Sequence, residues 1–403
     1  MSSRSVAVER APHLRLVGAD ERPHVPGRDV AGRRTVFLLL GSTASLVLGG
    51  LVMVLSASSV SAYARYGDSF LFFQRQAAYA VVGVLALLLT SRMRYRAWRR
   101  LALPFLLLTV ALLVIVLHPA TGVSAFGASR WIEVGGVTIQ PSELAKLALI
   151  VSAAAILARK WNKLGDLGHV ALPLLPVVAI VCGLVMLQPD LGTTLILAGS
   201  VYLLLFVAGI RLRYLIATGV IGSAIGIALI FGADYRRVRF LAFLDPWGDA
   251  TNTGYQLVQS LIALGSGGFT GVGLGASRQK WQYVPNAHTD FIFSILGEEL
   301  GLVGELVVLA AFGVLIFAGI RVATRAPDVF GRLLAAGIVS WFGLQTLVNL
   351  GAVTGLLPIT GVPLPFLSYG GSSLVVSLAG VGILWSIARA SAATRDRVRS
   401  APT

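Results

Sequence analysis

The sequence has little of what a soluble enzyme needs. Only 13% of its 403 residues are charged, against 56% hydrophobic, which is too little polar surface to clothe a water-soluble domain. There is one cysteine, Cys182, inside "VVAIVCGLVML", so an intramolecular disulfide and a thiolate metal cluster are both excluded. The histidines, His13, His24, His118, His169 and His288, are scattered, and no two have the spacing of a zinc-binding helix. No nucleophile elbow or other triad signature occurs. The N-terminus also lacks a continuous apolar h-region, so residues 1–35 read as a disordered, basic, Pro- and Gly-rich cytoplasmic tail and not as a cleaved signal peptide.

What the chain has instead is a succession of apolar runs of about 20 residues, each able to cross a hydrocarbon layer as a helix. They fall near 36–57, 72–90, 101–117, 143–158, 170–187, 191–209, 214–232, 298–320, 331–352 and 373–389. This pattern predicts an all-α polytopic membrane protein of about ten transmembrane helices. The formal charge of +15 would suggest nucleic acid in a soluble protein, but its Arg and Lys residues sit mainly between the apolar runs. The connections after spans two, four, six and eight are "SRMRYRAWRR", "RKWNKLGD", "IRLR" and "RVATRAPDVFGR", and the chain closes on "ATRDRVRS". Positive charge marks the cytoplasmic side, so both termini are expected there. The expected organisation is a tail over 1–35, a membrane domain over 36–390 and a short basic tail over 391–403. The connection over 233–297, between spans seven and eight, then faces outward, and loops of that length carry function.

Several outward helix starts carry cap signals. Pro141, Ser142 and Glu143 open one in "TIQPSELAK", Pro189 and Asp190 open another in "LQPDLGTT", and "LSYGGSS", with Ser368 and Tyr369, precedes the last span. Gathered helix N-termini favour an anion, although ordinary helix starts read the same way. Glu143 and Lys146 are three apart, hence on one helix face. They form either an ion pair that makes two charges tolerable in a bundle or a substrate-binding pair. The outer loop carries Arg236, Arg237, Arg239, Arg278 and Lys280, cations for either a phosphate or lipid headgroups. Its "GFTGVGLGAS" completes neither dinucleotide nor Walker spacing, so its glycines are read as serving turns and close packing in a re-entrant loop. Asp290, in "VPNAHTDFIF" beside His288, is a helix cap or a catalytic carboxylate, and spacing alone does not choose.

"SRWIEVGGVTIQPSELAK", "QPDLGT", "FLDPW" with "GYQLVQS", "SGGFTGVGLGASRQK", "HTDFIFSILGEELG" and "GLLPITGVPLPFLSYGGSS" resemble, in order, the signature stretches of the SEDS proteins, the FtsW and RodA family. The likeness covers about residues 36–390, with wording nearer the division branch than the elongation branch. It implies ten spans and polymerisation of lipid II into peptidoglycan glycan strands at the outer face of the bacterial cytoplasmic membrane, at the division septum. The implied partners are a class B penicillin-binding transpeptidase and other divisome membrane proteins, with no nucleic acid. The resemblance marks Asp290 as the catalytic residue and implicates Glu143 and Lys146. Asn286 stands where family members often have Glu, which removes the argument for a second carboxylate there. Arg75, Arg278, Lys280, His288, Ser368 and Tyr369 complete the candidate substrate site; a divalent cation, Mg or Mn, is left open. A lipid II flippase, an elongation-type polymerase and a non-catalytic scaffold are the alternatives. A transporter would place charges near the midplane, whereas these concentrate at the outer face.

Overall fold

The computed structural model describes residues 27–118, 122–125, 128–135, 137–165, 167–281 and 287–400. Asn286, His13, His24 and the first 26 residues of the expected tail lie outside the described residues. In chain order the elements are helices α1 (Gly27–Tyr66), α2 (Leu71–Arg92) and α3 (Tyr95–Ile115), then strands β1 (Gly122–Ala125), β2 (Ala128–Val134) and β3 (Val137–Ile139). Helices α4 (Pro141–Arg159), α5 (Leu167–Leu187), α6 (Leu191–Val207) and α7 (Leu212–Phe231) follow. Two short helices, α8 (Asp234–Leu244) and α9 (Tyr255–Gly267), precede α10 (Ile292–Thr324), α11 (Val329–Val353) and α12 (Gly371–Ser400).

Among the described residues nine helices are long and apolar enough to cross a membrane, and the 17-residue α6 is a shorter apolar helix beside them. These ten coincide with the ten apolar runs of the sequence. Helix α4 lies at the centre, buried almost all round, with small residues such as Ala148 and Ala154 allowing neighbours close approach. Polar contacts tie the basic connections together at one end of the bundle. Arg96 and the Tyr95 hydroxyl hold Asp328 at 3.0 and 2.7 Å, Arg332 lies over Trp161, and the Ser386 hydroxyl donates to the Met93 carbonyl.

Three boundaries differ from expectation. Helix α1 begins at Gly27 and α12 runs to Ser400, so the helices extend beyond the apolar runs that mark their spans. Helix α10 starts at Ile292, six residues ahead of the predicted run, because the apolar stretch 292–297 on the far side of Glu298 and Glu299 is too short to read as part of a span by itself. Between α3 and α4 the chain also forms an antiparallel meander of β1, β2 and β3, pairing Val123 with Trp131 and Ile132 with Ile139.

Helix α10 is broken at Gly301, whose φ of 63° and ψ of −165° only glycine adopts readily. A break inside a hydrocarbon layer frees backbone groups that have no water to meet. The glycine-rich segment after α9 supplies their partners: Leu302 and Val303 donate to the Gly268 and Phe269 carbonyls at 2.9 and 3.2 Å. In the other direction Val272 and Gly273 each donate, at 3.0 Å, to the Glu298 and Glu299 carbonyls. A side chain at Gly271, where φ is 79°, would land on the backbone of Glu299, whereas Gly268, at φ 56°, faces open space. Gly268→Ala is therefore expected to cost about 1–3 kcal/mol of backbone strain, and Gly271→Ala more, because it also separates the segment from the break. Thermal unfolding of the two purified variants measures the difference, and equal melting points would contradict this packing.

Candidate functional site

At the end of the bundle opposite the basic connections, three loop segments converge. The first, residues 287–291, leads into α10, which is capped by Phe291 and not by the Asp290 side chain. Asp290 is half-buried, and its backbone carbonyl accepts from the Asn349 amide of α11 at 2.9 Å. The same Asn349 nitrogen donates to the Val362 carbonyl at 2.8 Å, fixing the second segment, residues 354–370. Gly361, at φ 72°, brings that segment against the acid: a Cβ there would stand 3.6 Å from Asp290 Oδ2. The third is the turn between α5 and α6, where Asp190 caps α6 by accepting from the Thr193 amide at 2.9 Å, the cap its sequence signals. A side chain at Gly192 of α6 would press on the Thr360 carbonyl, so this turn and the 354–370 segment are in contact.

His288, Ser368, Tyr369 and Arg75 form one wall. The Tyr369 amide donates to the His288 carbonyl at 2.9 Å, and the His288 ring lies 4.9 Å from Phe72 and 5.6 Å from Tyr369. Ser368 is turned inward, its hydroxyl accepting from the Leu364 amide at 2.9 Å, and Gln76 bridges the Ser368 carbonyl to the Gly370 amide. Arg75 is exposed beside the Tyr369 hydroxyl.

The electrostatics separate the two titratable neighbours. Burial pushes the Asp290 carboxyl up to about 6, against the pull of Arg239 and Arg130 and with some help from Asp190. Burial, reinforced by Arg65, pushes His288 down to about 4, so its imidazole is neutral at pH 7 and is no cation for a phosphate. Arg130 lies on β2, and its guanidinium donates to the Gln188 and Pro189 carbonyls at 3.0 and 2.5 Å, pinning the sheet to the α5–α6 turn. In the sequence Arg130 stands within "SRWIEVGG", where nothing local marks it as part of a site.

Glu143 and Lys146 lie deeper. Their side chains are 2% and 1% exposed and meet at 2.8 Å. Lys146 Nζ also donates to Gln345 Oε1 at 2.9 Å and lies 5.4 Å from the Trp341 ring centre. Gln345 in turn accepts from the Trp341 indole at 2.7 Å and donates to the Pro363 carbonyl at 2.8 Å. Through Gln345 the pair thus supports the 354–370 segment from beneath, and among the described residues its side-chain hydrogen bonds are to each other and to Gln345. Gln345 and Asn349 went unnoticed in the sequence, yet two amides four apart within the apolar α11 mark one polar stripe on a buried face.

Arg278 and Lys280 part company. Arg278 is exposed, while Lys280 is buried, donates to the Gly275 carbonyl and approaches Glu299 to 3.8 Å. Glu298 accepts from the Ser277 hydroxyl and from the Arg278 and Gln279 amides at 2.9 and 3.4 Å. Glu299 accepts from the Ser56 hydroxyl at 2.6 Å. The amides of this stretch thus cradle the protein's own carboxylate, and its glycines serve turns and close packing, as expected. Among the described residues no three His, Cys, Asp or Glu side chains converge on a metal site. Magnesium commonly takes one or two carboxylates and completes its shell with substrate phosphates and water, a role in which Asp290 would be this chain's ligand.

The chain matches the FtsW/RodA/SpoVE family model, described as cell cycle protein, over residues 36–393. It is 47% identical over 350 residues to a Geobacter metallireducens protein named "Probable peptidoglycan glycosyltransferase FtsW", covering 87% of this chain and 93% of that one. It is 43% identical over 352 residues to the stage V sporulation protein E of Bacillus subtilis, covering 87% and 96%. Among solved structures, a chain of a peptidoglycan synthase complex that coordinates polymerisation and crosslinking superposes with a TM-score of 0.72 at 33% identity, covering 88% and 97%. The rod shape determining protein RodA of Thermus thermophilus superposes at 0.63 with 30% identity, covering 88% and 96%.

The buried pair generates a stability prediction. Lys146→Met leaves Glu143 uncompensated in the bundle and is expected to destabilise by about 3–5 kcal/mol. Adding Glu143→Leu to it removes the stranded charge and should restore most of the melting temperature; no recovery in the double variant would show that the pair is not coupled.

Proposed function

Because this chain belongs to the FtsW/RodA/SpoVE family, we propose that it is a peptidoglycan glycosyltransferase that polymerises lipid II at the outer membrane surface, with Asp290 as its general base. The observation that carries the assignment of the base is the carboxyl itself: half-buried, raised to about 6, and held by its own backbone at a mouth where three loops meet. A sugar hydroxyl of one lipid-linked saccharide attacks the anomeric carbon of another. Asp290 takes the hydroxyl proton as the new glycosidic bond forms, and the bond from the anomeric carbon to phosphate breaks with its electron pair going to the polyprenyl diphosphate. A glycosidase needs a second carboxyl to protonate an alkoxide leaving group. Diphosphate leaves without that help, so one base and nearby cations suffice. The basic end of the bundle faces the cytoplasm by the charge rule, which directs the Asp290 end outward. The division-branch wording and the FtsW relatives support septal synthesis beside a crosslinking transpeptidase.

The base must be ionised to act. With its acidity displaced to about 6, the rate of polymerisation should rise with pH through that value and fall about tenfold per unit below it. Asp290→Asn should lower turnover by about two to four orders of magnitude without moving the melting point. Protein in liposomes supplied with lipid II on the accessible side measures both. Polymer formation that survives the substitution would refute the base, and translocation without polymer would favour transport.

A further inference from the structure

Three arginines share α8, and two have protein partners. Arg236 donates to the Leu229 carbonyl at 2.7 Å and to the Tyr235 hydroxyl at 2.9 Å, and Arg237 pairs with Asp234 at 3.0 Å. Arg239 is exposed and makes no hydrogen bond or ion pair with any described residue. It lines a cleft between α8 and α9 together with Phe243, Thr253, Gln256, Leu257 and Ile359. Gln256 is half-buried and its amide is likewise unpartnered among the described residues. Ile359 belongs to the turn whose Gly361 lies against the Asp290 carboxyl, and two residues of chain reach at most about 7 Å. The cleft and the acid are therefore neighbours, close enough for the charge of Arg239 to act on Asp290.

Of the other cations of the region, Arg75 and Arg278 are exposed but do not line this cleft, and three are committed. Arg130 spends its donors on two backbone carbonyls, Lys146 lies under Gln345 beside Glu143, and Lys280 lies beside Glu299. Arg239 keeps a planar fork of donors, the geometry that suits phosphate oxygens. Phe243, Leu257 and Ile359 offer an apolar wall next to that fork. A group carrying two negative phosphates at one end and hydrocarbon at the other matches both features. Resting on the reading of Asp290 as base, we propose that the α8–α9 cleft seats the departing polyprenyl diphosphate, with the Arg239 guanidinium meeting the charge that appears as the anomeric bond breaks and the Gln256 amide donating beside it. The base and the leaving-group cation would then flank the reacting sugar, as an in-line displacement requires.

An anionic phospholipid headgroup offers a phosphate of the same chemistry, so the test separates the two. Full-length protein in phosphatidylcholine nanodiscs is titrated with a polyprenyl diphosphate, with and without phosphatidylglycerol as competitor. Arg239→Gln should weaken binding by about ten- to a hundredfold, Arg239→Lys by less, and Arg237→Gln not measurably; unchanged melting points exclude misfolding. Binding unaffected by Arg239→Gln, an equal loss in Arg237→Gln, or displacement by phosphatidylglycerol at matched concentration would each overturn the assignment. Asp290→Asn, which removes a negative charge near the seat, should bind the probe no more weakly than the native protein does. Were that variant still to polymerise, the base would be wrong while the diphosphate seat stood.

Discussion

Two amides on one face of α11 hold the site together. Asn349 ties the carbonyl of Asp290 to that of Val362, and Gln345, one turn earlier, ties Pro363 to the buried Lys146. Helix α11 is itself held between α4 and α6, so the acid is referenced to the most deeply packed part of the bundle and not to its own loop. An amide that donates to two carbonyls at once leaves neither segment free to drift without stranding a polar group in a low dielectric. The same logic explains the burial of Glu143 and Lys146. A charge pair that deep is tolerable only when fully engaged, and its engagement is with the helix that carries the amides.

The broken helix α10 addresses a second constraint. Asp290 must sit where hydrocarbon gives way to water, yet it precedes a helix of 33 residues. Interrupting that helix at Gly301 lets its first turns lean away from the rest, and the glycine-rich segment satisfies the freed backbone. Glu298 locks this segment by accepting its Ser277 hydroxyl and Arg278 amide, and Glu299 accepts the Ser277 amide at 3.4 Å and the Ser56 hydroxyl of α1, which is why two adjacent carboxylates occur inside a membrane protein. The exposed side chains of Arg278, in the locked segment, and Arg239, on α8, are free to meet a substrate that arrives from the lipid.

Hydropathy made the helices legible, because a membrane span must be apolar over its whole length whatever its neighbours. The caps at Pro141 and Asp190 were legible for the same local reason. Depth was not. Nothing in their spacing tells that Glu143 and Lys146 both turn inward, or that Lys280 does and Arg278 does not, since that depends on partners distant in the chain or in the fold, such as Gln345 for Lys146 and Glu299 for Lys280. Strands β1 to β3 escaped notice because three to seven residues carry too little periodicity to stand out beside 20-residue runs, and Arg130 escaped with them. Asp290 itself was marked by its motif, while its raised acidity follows from a fold that no single stretch encodes.

The claim at the centre is that one carboxyl, shielded by packed loops but open to substrate, holds its proton until near-neutral pH. Infrared difference spectroscopy of the full-length protein reads this without any turnover, as the carbonyl band of a protonated carboxylic acid that is absent in Asp290→Asn. A band titrating with a midpoint near 6 is the predicted result. A midpoint at the ordinary aspartate value, below about 4, would place Asp290 in open water and contradict the account.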